Sequence, residues 1–522
     1  MNRYIQYMYS YPHKTAYRLL ENISLKDYFF NLEGEGHSLY LHLPFCESKC
    51  GYCNLFSVTG CHKMQMEAYL DAVLRQIKQY KEIMPRSTSF GDFIIGGGTP
   101  LLLECGQISR IFEAVAANMP LEGDCKVIIE TAPNQTDREK TELLKRLGVT
   151  RVSMGIQSFD DKELRWLGRN HDSARAKKAA ELLSGTGFEC VNFDFIYGLP
   201  EQTAESLVCS LQTALDFEPD EIFLYPLYIK HGVRLEREGR KDALDSDHTY
   251  ELYRCGSAYL KEKGYIQKSM RRFLKKDSAG SCTEFSECGL KSALSLGCGG
   301  RSYLGRLHTC TPYRTNRNAA LKEIQEYQRK EDFFSVTNGI LLSEDEIKRR
   351  YVIKHLLILP GISAQAYKQA FKKDIWEDFP VLRQWVEQGW LQENHGGFGH
   401  GATDHDVSNR TAPDNSGMRL GCMEHTSEPL ELPDYIGHTS EPLELPDHIR
   451  HTSESLELPD YIGHTSEPLE LPDHIRHTSE PLELSEYIRL TTEGLGLSDY
   501  IGPQLISEDI MGKMLEWERI NA

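Results

Sequence analysis

The sequence predicts an α/β fold. It consists of a partial (β/α)6 barrel and a C-terminal helical/winged-helix-like domain, which an acidic repeat insertion interrupts. Three observations predict this. Six short β-rich runs alternate with helical patterns between residues 38 and 227. The periodicity becomes helical after residue 332, and a 13-residue unit repeats from residue 425 onward.

The barrel is predicted from apolar runs at 38–43, 92–95, 126–130, 151–154, 191–196 and 221–227. Helical periodicity lies between them at 64–84, 108–118 and 203–217. We expect Thr136-Asp137 and Ser173 to cap two further helices, which end at Gly148 and near Gly185. Strand–helix alternation implies a parallel sheet, in which ligands bind at the carboxyl ends of the strands.

These patterns divide the chain. We predict a lead-in at residues 1–37, the barrel at 38–265 and a connecting region at 266–331. The C-terminal domain combines 332–398 with 489–522, and its helices are expected at 344–359, 379–388 and 507–518. Gly389 is suited to ending the second helix, and Gly396-Gly397-Phe398 predicts a turn.

Residues 399–488 are predicted to be a low-complexity insertion. The unit HTSEPLELPDYIG begins at His425, with related copies at His438, His451, His464 and His477 and a diverged copy at Leu490. Residues 425–489 contain 15 Asp or Glu and 3 Arg, and the paired prolines interrupt helices and central strands. We expect a solvated, irregular segment; a partner-binding array is the alternative. Since only the last copy leads into a closing helix, the ends of the insertion should meet across a hairpin.

Bulk composition excludes several classes. The 522 residues carry a formal net charge of −18, which disfavours non-specific nucleic-acid binding. No apolar run is long enough to span a bilayer, and the first 20 residues have no apolar signal core. We therefore expect a cytoplasmic protein without nucleic-acid or membrane partners. Its 14 cysteines should be free or metal-bound.

One cysteine group stands out. Cys46, Cys50 and Cys53 follow a predicted strand with the spacing C-x3-C-x2-C. Thiolates suit iron–sulfur clusters and zinc. Three ligands for four irons would leave one iron open, as in catalytic metal sites. The alternatives are structural zinc, with Cys61 or His62 as fourth ligand, and three unrelated buried thiols.

Polar and glycine residues near the ends of the predicted strands are further candidates. Gly97 and Gly98, followed by Thr99, would allow close backbone approach to a ligand, or would form an ordinary turn. Glu130 would accept hydrogen bonds from an ammonium or hydroxyl group, or lie at the surface. Gln157 would supply donors and acceptors, or serve only as a turn residue.

Four more residues have similar alternatives. Arg169 would bind a carboxylate in bidentate fashion, or lie solvated on a helix. Asp194 lies in an apolar strand, where a carboxylate needs partners, so it binds a ligand or makes a structural hydrogen bond. Tyr40 and Tyr52 flank the cysteine loop and would pack against a ligand or join the core.

These residues occur within a series of motifs in a fixed order. The motifs are Tyr40-Leu-His-Leu-Pro-Phe-Cys46 through Cys53, Gly96-Gly97-Gly98-Thr99-Pro100, Glu130, Gly155-Ile156-Gln157-Ser158-Phe159, Leu167-Gly168-Arg169 and Asp194-Phe-Ile-Tyr-Gly198-Leu199-Pro200. Together they resemble the radical S-adenosylmethionine (SAM) domain of oxygen-independent coproporphyrinogen III oxidases and their HemN/HemW-like relatives. The resemblance covers residues 38 to about 305, and 332–398 with 489–522 resemble the C-terminal domain of that group.

The resemblance implies cofactors and site residues. A [4Fe-4S] cluster would be held by Cys46, Cys50 and Cys53. SAM would contact Tyr40, Tyr52, Gly97, Gly98, Thr99, Glu130, Gln157, Arg169 and Asp194. An electron donor such as flavodoxin or ferredoxin would reduce the cluster. Cleavage of SAM would then give methionine and a 5′-deoxyadenosyl radical, which removes a hydrogen atom from a small-molecule substrate, such as a tetrapyrrole, or from a peptide.

The chain departs from the family in two places. Leu55 stands where the coproporphyrinogen oxidases have a further cysteine, and residues 276–288 lack the His and Trp of the haem-chaperone signature. Cys282 and Cys288 in that region would bind metal, form a redox pair or be buried thiols. We therefore expect an oxidase-like radical SAM enzyme with an unidentified substrate. The alternatives are a haem- or porphyrin-binding chaperone-like protein and a radical SAM methyltransferase.

Overall fold

The computed structural model describes residues 2–8, 10–278, 291–394 and 487–521. Cys282, Cys288, the turn predicted at 396–398 and nearly all of the predicted insertion lie outside the described residues. The described residues belong to one compact unit, which comprises Met1–Gly396 and Ser479–Ala522. In these ranges no helix has the length and apolar character needed to cross a membrane.

The strands define most of the architecture. In chain order they are β1 (Arg18–Ser24), β2 (His37–Leu43), β3 (Phe45–Cys46), β4 (Val58–Thr59), β5 (Phe90–Gly97), β6 (Leu121–Thr131), β7 (Arg151–Gln157), β8 (Cys190–Tyr197), β9 (Glu221–Pro226), β10 (Tyr265–Gln267), β11 (Arg272–Lys275), β12 (Ala293–Leu296), β13 (Arg301–Leu304), β14 (Leu307–Cys310), β15 (Ser335–Leu341), β16 (Ile362–Ser363), β17 (Leu391–Asn394) and β18 (Tyr487–Leu490).

The α-helices of the described residues include those predicted from the sequence. They are α1 (Lys63–Ile83), α2 (Cys105–Asn118), α3 (Arg138–Arg146), α4 (Asp161–Leu167), α5 (Ser173–Thr186), α6 (Ala204–Leu215), α7 (Arg234–Arg237), α8 (Ser246–Glu262), α9 (Arg317–Arg329), α10 (Glu344–Leu356), α11 (Ala364–Phe371), α12 (Ile375–Asp378), α13 (Val381–Glu387), α14 (Thr492–Gly496), α15 (Ser498–Ile501) and α16 (Glu508–Asn521).

Six parallel strands form the centre of one large sheet. They lie in the order β2-β5-β6-β7-β8-β9, and each pairs in parallel with its neighbour. At least one helix follows each strand. This confirms the predicted (β/α)6 arrangement. The sheet is open, because β1 and β10 are its edge strands in the described residues.

Further strands extend the sheet at both edges. On one side β12 pairs in parallel with β2, and β13, β14, β15 and β1 continue antiparallel. On the other side β11 and β10 continue antiparallel from β9. Several of these strands have only three or four residues, too few for a period-two pattern to be distinguished from a loop.

The core follows from burial of both sheet faces. Consecutive residues on the central strands are apolar and inaccessible, as at Phe93, Ile94 and Ile95 of β5 and at Phe195, Ile196 and Tyr197 of β8. The helices bury one stripe each. Helix α1, for example, buries Tyr69, Val73, Ile77 and Tyr80, spaced by three and four residues.

The helix caps test the predicted boundaries. Asp137 caps α3 by accepting a hydrogen bond from Lys140 N, as predicted. The prediction for Ser173 was wrong, because the side chain of Asp172 accepts from Arg175 N and Ser173 is the first helical residue. The predicted end of this helix near Gly185 is confirmed, since α5 ends at Thr186. Gly187, with φ +77°, adopts the left-handed conformation that ends α5.

The C-terminal domain combines helices with a small sheet. Helices α10, α11 and α13 pack with a three-stranded antiparallel sheet in the order β16-β18-β17. Trp385, Tyr367, Ile488 and Leu490 belong to its apolar core, which is distinct from that of the barrel. Helices followed by a two-stranded hairpin form the predicted winged-helix-like arrangement.

The hairpin of β17 and β18 brings together the residues that flank the repeat segment. Its register places Asn394 opposite Tyr487 and Gln392 opposite Arg489. Strand β18 begins at Tyr487, two residues before the predicted boundary at 489. Residues 395–486 therefore connect two directly paired strand residues.

We predict that a two-residue Asn-Gly turn can replace residues 395–486. Such a turn matches the geometry of a tight hairpin, and Asn394 and Tyr487 are already strand partners. Because loop closure costs about 0.6 kcal/mol per doubling of length, the free energy of unfolding should stay the same or rise by up to about 3 kcal/mol. Urea unfolding monitored by circular dichroism measures this.

A longer deletion provides the control. Removing 395–490 also takes away Ile488 and Leu490, which are buried in the domain core, so that protein should lose the C-terminal domain. If the Asn-Gly variant also fails to fold, the repeats are part of the architecture and the insertion hypothesis is wrong.

Candidate metal centre and cofactor cavity

The cysteine loop begins where β2 ends, and the turn after β5 holds its first residues. The amide of Gly98 donates to Leu43 O at 2.8 Å, and the amide of Thr99 donates to Phe45 O at 2.7 Å. A Cβ atom on Gly98 would lie 2.4 Å from Phe45 O. Glycine is therefore required at 98 by the cysteine loop itself, a reason that the sequence pattern did not reveal.

The middle of the loop is anchored on the opposite side of the barrel. The amide of Gly51 donates to Leu167 O at 2.8 Å, and Gly51 O accepts from Leu235 N at 3.0 Å. A Cβ atom at Gly51 would lie 2.8 Å from Leu235 Cγ. Two glycines at close backbone contacts thus set the position of the loop.

The side chain of Glu47 adds a third anchor. Its Oε2 accepts hydrogen bonds from Gln135 Nε2 at 2.8 Å, Asn170 Nδ2 at 2.6 Å and Asn134 Nδ2 at 3.3 Å. Burial raises the pKa of the Glu47 carboxyl, but the three amide donors outweigh it and the net pKa is lowered. Glu47 therefore stays ionised and holds the loop to two neighbouring segments.

The three cysteines of the loop line one cavity of about 480 Å³. Thr99 Oγ1 lies 3.8 Å from Cys46 Sγ, and Arg169 Nη1 lies 3.1 Å from Cys50 Sγ. Burial raises the pKa of Cys46 to about 11 and also raises the pKa of Cys53. Positive charge in the cavity, such as that of bound iron, would be needed to hold these thiols as thiolates.

Gln157 ends β7 in an unusual backbone conformation. Its φ is +75°, a left-handed value that is rare outside glycine. The residue is buried and lines the cavity. A Cβ atom on Gly155 would lie 2.6 Å from Gln157 Nε2, so the amide covers Gly155. Such conformations cost free energy and cluster at functional sites.

Arg169 links the cysteine loop to β7. Its Nη2 donates to Gly155 O at 2.6 Å, while its Nε is buried without a partner in the described residues. Burial alone would lower the pKa of the guanidinium, but Cys50, Tyr52 and Cys53 outweigh it and the net pKa is raised. The cation is therefore permanent, and the residue lines the cavity.

Two carboxyl groups lie in the same cavity. Glu130 Oε2 accepts from Gly97 N at 3.1 Å, and its side chain is accessible from the cavity although protein surrounds it. Burial raises the pKa of Glu130. Asp194 Oδ1 accepts from Asn192 Nδ2 at 2.8 Å, and burial, with a smaller contribution from Glu130, raises the pKa of Asp194 to about 7. Both groups favour a ligand that brings donors or positive charge.

The structure brings nearly all of the predicted site residues together. Those that line the cavity are Cys46, Cys50, Cys53, Tyr52, Gly97, Gly98, Thr99, Glu130, Gln157, Arg169 and Asp194. Tyr40 is not among them, and its hydroxyl lies 3.2 Å from His42 Nδ1. Leu55, the position where the oxidases have cysteine, is 45% exposed and faces the cavity.

The two ends of the chain supply cavity residues that the sequence analysis missed. They include Tyr7 and His13 near the N-terminus and Met514 and Trp517 on α16. Arg18 pairs with Glu516 at 2.9 Å and so ties the two ends together. The cluster of tyrosines in the first 20 residues was the one available signal.

Part of the chain matches a known protein family. Residues 40–213 match the family model of the Radical SAM superfamily, and this range contains the three cysteines together with Gln157, Arg169 and Asp194. The chain contains a radical SAM domain. The predicted resemblance is confirmed at this level.

Relatives of two kinds are similar to the chain. Heme chaperone HemW from Escherichia coli K12 is 31% identical over 242 residues, which are 46% of this chain and 62% of HemW. Oxygen-independent coproporphyrinogen III oxidase from the same organism is 27% identical over 340 residues, 61% of this chain and 71% of the oxidase. The chain thus spans less than two thirds of the length of the HemW relative.

A solved structure shares the fold. Coproporphyrinogen III oxidase (HemN) from Escherichia coli, described as a radical SAM enzyme, superposes with a TM-score of 0.62 at 22% identity. The match covers 74% of this chain and 91% of that structure. It therefore extends beyond the radical SAM domain into the flanking parts of the fold.

The cofactors of radical SAM proteins are a [4Fe-4S] cluster and SAM, and the cavity has groups suited to both. Each thiol of a cluster site binds a different iron, so the three sulfurs need not surround one point. Zinc requires several donors around one ion, and no three His, Cys, Asp or Glu of the described ranges are so arranged. The Arg169 guanidinium suits the carboxylate of SAM, and Glu130 and Asp194 suit its ammonium or ribose hydroxyl groups.

We predict that anaerobic reconstitution gives about four irons per chain, the content of one [4Fe-4S] cluster. Changing Cys46, Cys50 or Cys53 to Ala should abolish iron binding, because each removes one of three ligands. Cys61→Ala is the matched control, since Cys61 is close in sequence but does not line the cavity. Iron analysis and the visible absorption spectrum report the result; stoichiometric zinc without iron would contradict it.

Proposed function

We propose that Cys46, Cys50 and Cys53 hold a [4Fe-4S] cluster, and that the chain binds SAM beside it and cleaves it reductively. The observation that carries this proposal is that one cavity is lined by the cysteines together with Gln157, Arg169 and the two carboxyl groups. When bound, the cluster and SAM would supply an electron and a 5′-deoxyadenosyl radical that removes a hydrogen atom from the substrate.

The residues of the chain would orient SAM by charge. Arg169 lines the cavity, and its guanidinium would bind the carboxylate. Glu130 and Asp194 accept hydrogen bonds from the ammonium and ribose hydroxyl groups. Positive charge on the ligand would favour ionised Asp194, whose pKa is about 7 without it. Tyr52 supplies an aromatic wall for the adenosine.

The ends of the chain would protect the reaction from water. Tyr7 and His13, near the N-terminus, and Trp517, on α16, line the cavity. Trp517 packs on Tyr313 with ring centroids 5.1 Å apart, and Lys14 Nζ lies 3.7 Å from the centre of the same Tyr313 ring. A radical confined in this way reacts with the bound substrate rather than with solvent.

The proposed partners follow from this chemistry and from the relatives. The electron donor would be a flavodoxin or ferredoxin, and the protein would act in the cytoplasm. The substrate would be a small molecule such as a tetrapyrrole, since relatives include a heme chaperone and coproporphyrinogen oxidases, or a peptide. No residue beyond the cluster ligands is proposed to take part directly in the chemistry.

We predict that the reconstituted protein, given dithionite and SAM, slowly releases 5′-deoxyadenosine without added substrate. Gln157→Ala and Asp194→Ala should weaken SAM binding about tenfold or more while the iron content stays normal, because each removes a polar contact in a buried site. Lys322→Ala is the control, since Lys322 is 77% exposed on α9 and lies outside the cavity. Normal SAM affinity in both cavity variants would refute the assignment of the pocket.

A haem- or porphyrin-binding chaperone-like protein is the second candidate, because relatives named heme chaperone HemW are 30–32% identical to this chain. Titration with haem separates the candidates. Tight binding, seen as a shift of the Soret band, together with no SAM consumption in the presence of any tested substrate, would favour the chaperone. Transfer of a labelled methyl group from SAM would instead favour a methyltransferase.

We predict no efficient decarboxylation of coproporphyrinogen III. Leu55 stands where the oxidases have the additional cysteine, and residues 276–288 lack the His and Trp of the haem-chaperone signature. Anaerobic assay of vinyl-group formation should therefore give rates far below about 1 per second, the lower end of ordinary enzyme turnover. Formation of protoporphyrinogen at such a rate would contradict this prediction.

A further inference from the structure

The end of the cysteine loop packs against a second segment of the chain. Residues 54–62 directly follow the third cysteine, and residues 313–317 connect β14 to α9. Arg317 Nε joins the two segments by donating a hydrogen bond to Thr59 O at 3.0 Å. We call residues 54–62 and 313–317 together the loop face. It is the part of the surface that adjoins the third cysteine.

The loop face brings solvent close to the cysteine cavity. Leu55 is 45% exposed and also lines the cavity, so solvent reaches the cavity wall two residues beyond Cys53. Lys49 lines the cavity as well, with its Nζ 3.5 Å from Leu55 O and 3.4 Å from Thr315 O. The rate of electron transfer falls steeply with distance. A donor bound at this face would therefore have a short path to a cluster held by the cysteines.

The loop face contains no acidic residue. Residues 48–66 and 291–322, which include it, contain no Asp or Glu, although 77 of the 522 residues are acidic and the net charge is −18. Four cations lie on the face or beside it, namely Lys14, Lys49, Arg314 and Arg317. Two carboxylates of the described residues adjoin them, namely Glu323, which pairs with Arg314 at 3.0 Å, and Glu518 of the cavity wall. The face is therefore positive by two charges.

The other charged residues near the loop do not cancel this excess. Glu47 is bonded to Gln135 and Asn170, which belong to the segments after β6 and α4 and not to the face. Lys63 and Glu104 pair with each other at 2.6 Å and so balance. The side chain of Arg317 is bonded to a neutral carbonyl group and is exposed, so its charge is accessible to a partner.

Leu55 adds an exposed apolar group to this positive surface. Interfaces between proteins commonly surround an apolar centre with a charged rim, and opposite charges on the two partners guide their encounter. An acidic protein would be attracted by the cations of the face. If it carries a flavin at its surface, the apolar edge of the flavin ring would meet Leu55.

We propose that the loop face is the docking surface for a small acidic flavoprotein that supplies the electron for the cluster. The step transfers one electron from the reduced flavin to the cluster, and no bond in either protein forms or breaks. This inference rests on the proposed function and adds to it the surface that receives the electron donor. Lys49 and Arg317 attract the donor, and they take no part in SAM cleavage.

The test uses flavodoxin, an acidic flavoprotein, and the full reconstituted chain. Calorimetry measures binding of oxidised flavodoxin, and stopped-flow absorbance measures reduction of the cluster by reduced flavodoxin. Arg317→Glu should weaken binding and slow this reduction about tenfold at low salt, because charges at an interface act mainly on association. The difference from the unchanged chain should nearly disappear at about 0.5 M salt, which screens exposed charges.

Asn316→Asp is an isosteric second variant. Asn316 is exposed and caps α9 by accepting hydrogen bonds from Asn318 N and Ala319 N. Because Asp is an equally good cap, this change adds a negative charge to the face while the helix stays intact. It should weaken flavodoxin binding about threefold. Lys178→Glu, which reverses an exposed cation of α5 outside the face, is the matched control and should change neither measurement.

Dithionite separates docking from the radical chemistry, because a small reductant needs no protein docking surface. With dithionite, both face variants should contain normal iron and release 5′-deoxyadenosine at the unchanged rate. Loss of flavodoxin-driven reduction alone supports the proposal. No flavodoxin binding, unchanged binding in both face variants, an equal loss in Lys178→Glu, or equal slowing with both reductants would overturn it. If Arg317→Glu does not fold, Asn316→Asp decides.

The same preparations separate this inference from the proposed function. If the unchanged chain holds iron and cleaves SAM with dithionite but does not bind flavodoxin, the docking surface alone is refuted. If it holds no iron or does not cleave SAM with dithionite, the proposed function itself fails.

Discussion

The close contact between the backbones at Gly98 and Phe45 is the constraint on which the functional site depends. It joins the turn after β5 to the first residues of the cysteine loop at a separation that excludes any side chain at 98. Two backbone hydrogen bonds follow from it, and Thr99 is thereby placed beside Cys46. Phe45 and Phe56, at the two ends of the loop, are buried in the apolar core, and these directional contacts with the sheet add to that anchoring.

Burial then determines the chemistry that the cavity favours. It raises the pKa of Cys46, Cys53, Glu130 and Asp194, so the protein by itself disfavours the charged form of each group. The iron of a cluster and the ammonium and sulfonium groups of SAM would reverse this, because they bring positive charge to the same space. Arg169 supplies the opposite sign, for a carboxylate. The charges around the cavity therefore suit a ligand such as SAM, which carries one carboxylate and two cationic groups, better than they suit a neutral ligand.

Much of this could be predicted from the sequence, and the physical reasons differ by region. The six barrel strands were predictable because both faces are buried, which produces apolar runs between amphipathic helices. The cysteine spacing and the motif order gave the cavity residues from β2 to β8. The short strands β10, β11, β13 and β14 were missed because they are too short for periodicity. At Ser173 the local signal was ambiguous, since the adjacent Asp172 is an equally good cap. Tyr7 and Trp517 line the cavity through contacts between residues that are almost the whole chain apart. No local sequence pattern predicts such contacts.

The barrel interior also contains a buried ionic group. Near the strand starts, Arg151, Glu221 and Arg272 are almost fully buried and ion-paired. Removing one partner from such a group leaves an uncompensated buried charge, which costs several kcal/mol, about 3–5. Replacement of all three residues by apolar ones would cost less, because no charge would then remain buried. The triad therefore links β7, β9 and β11 only as a complete set.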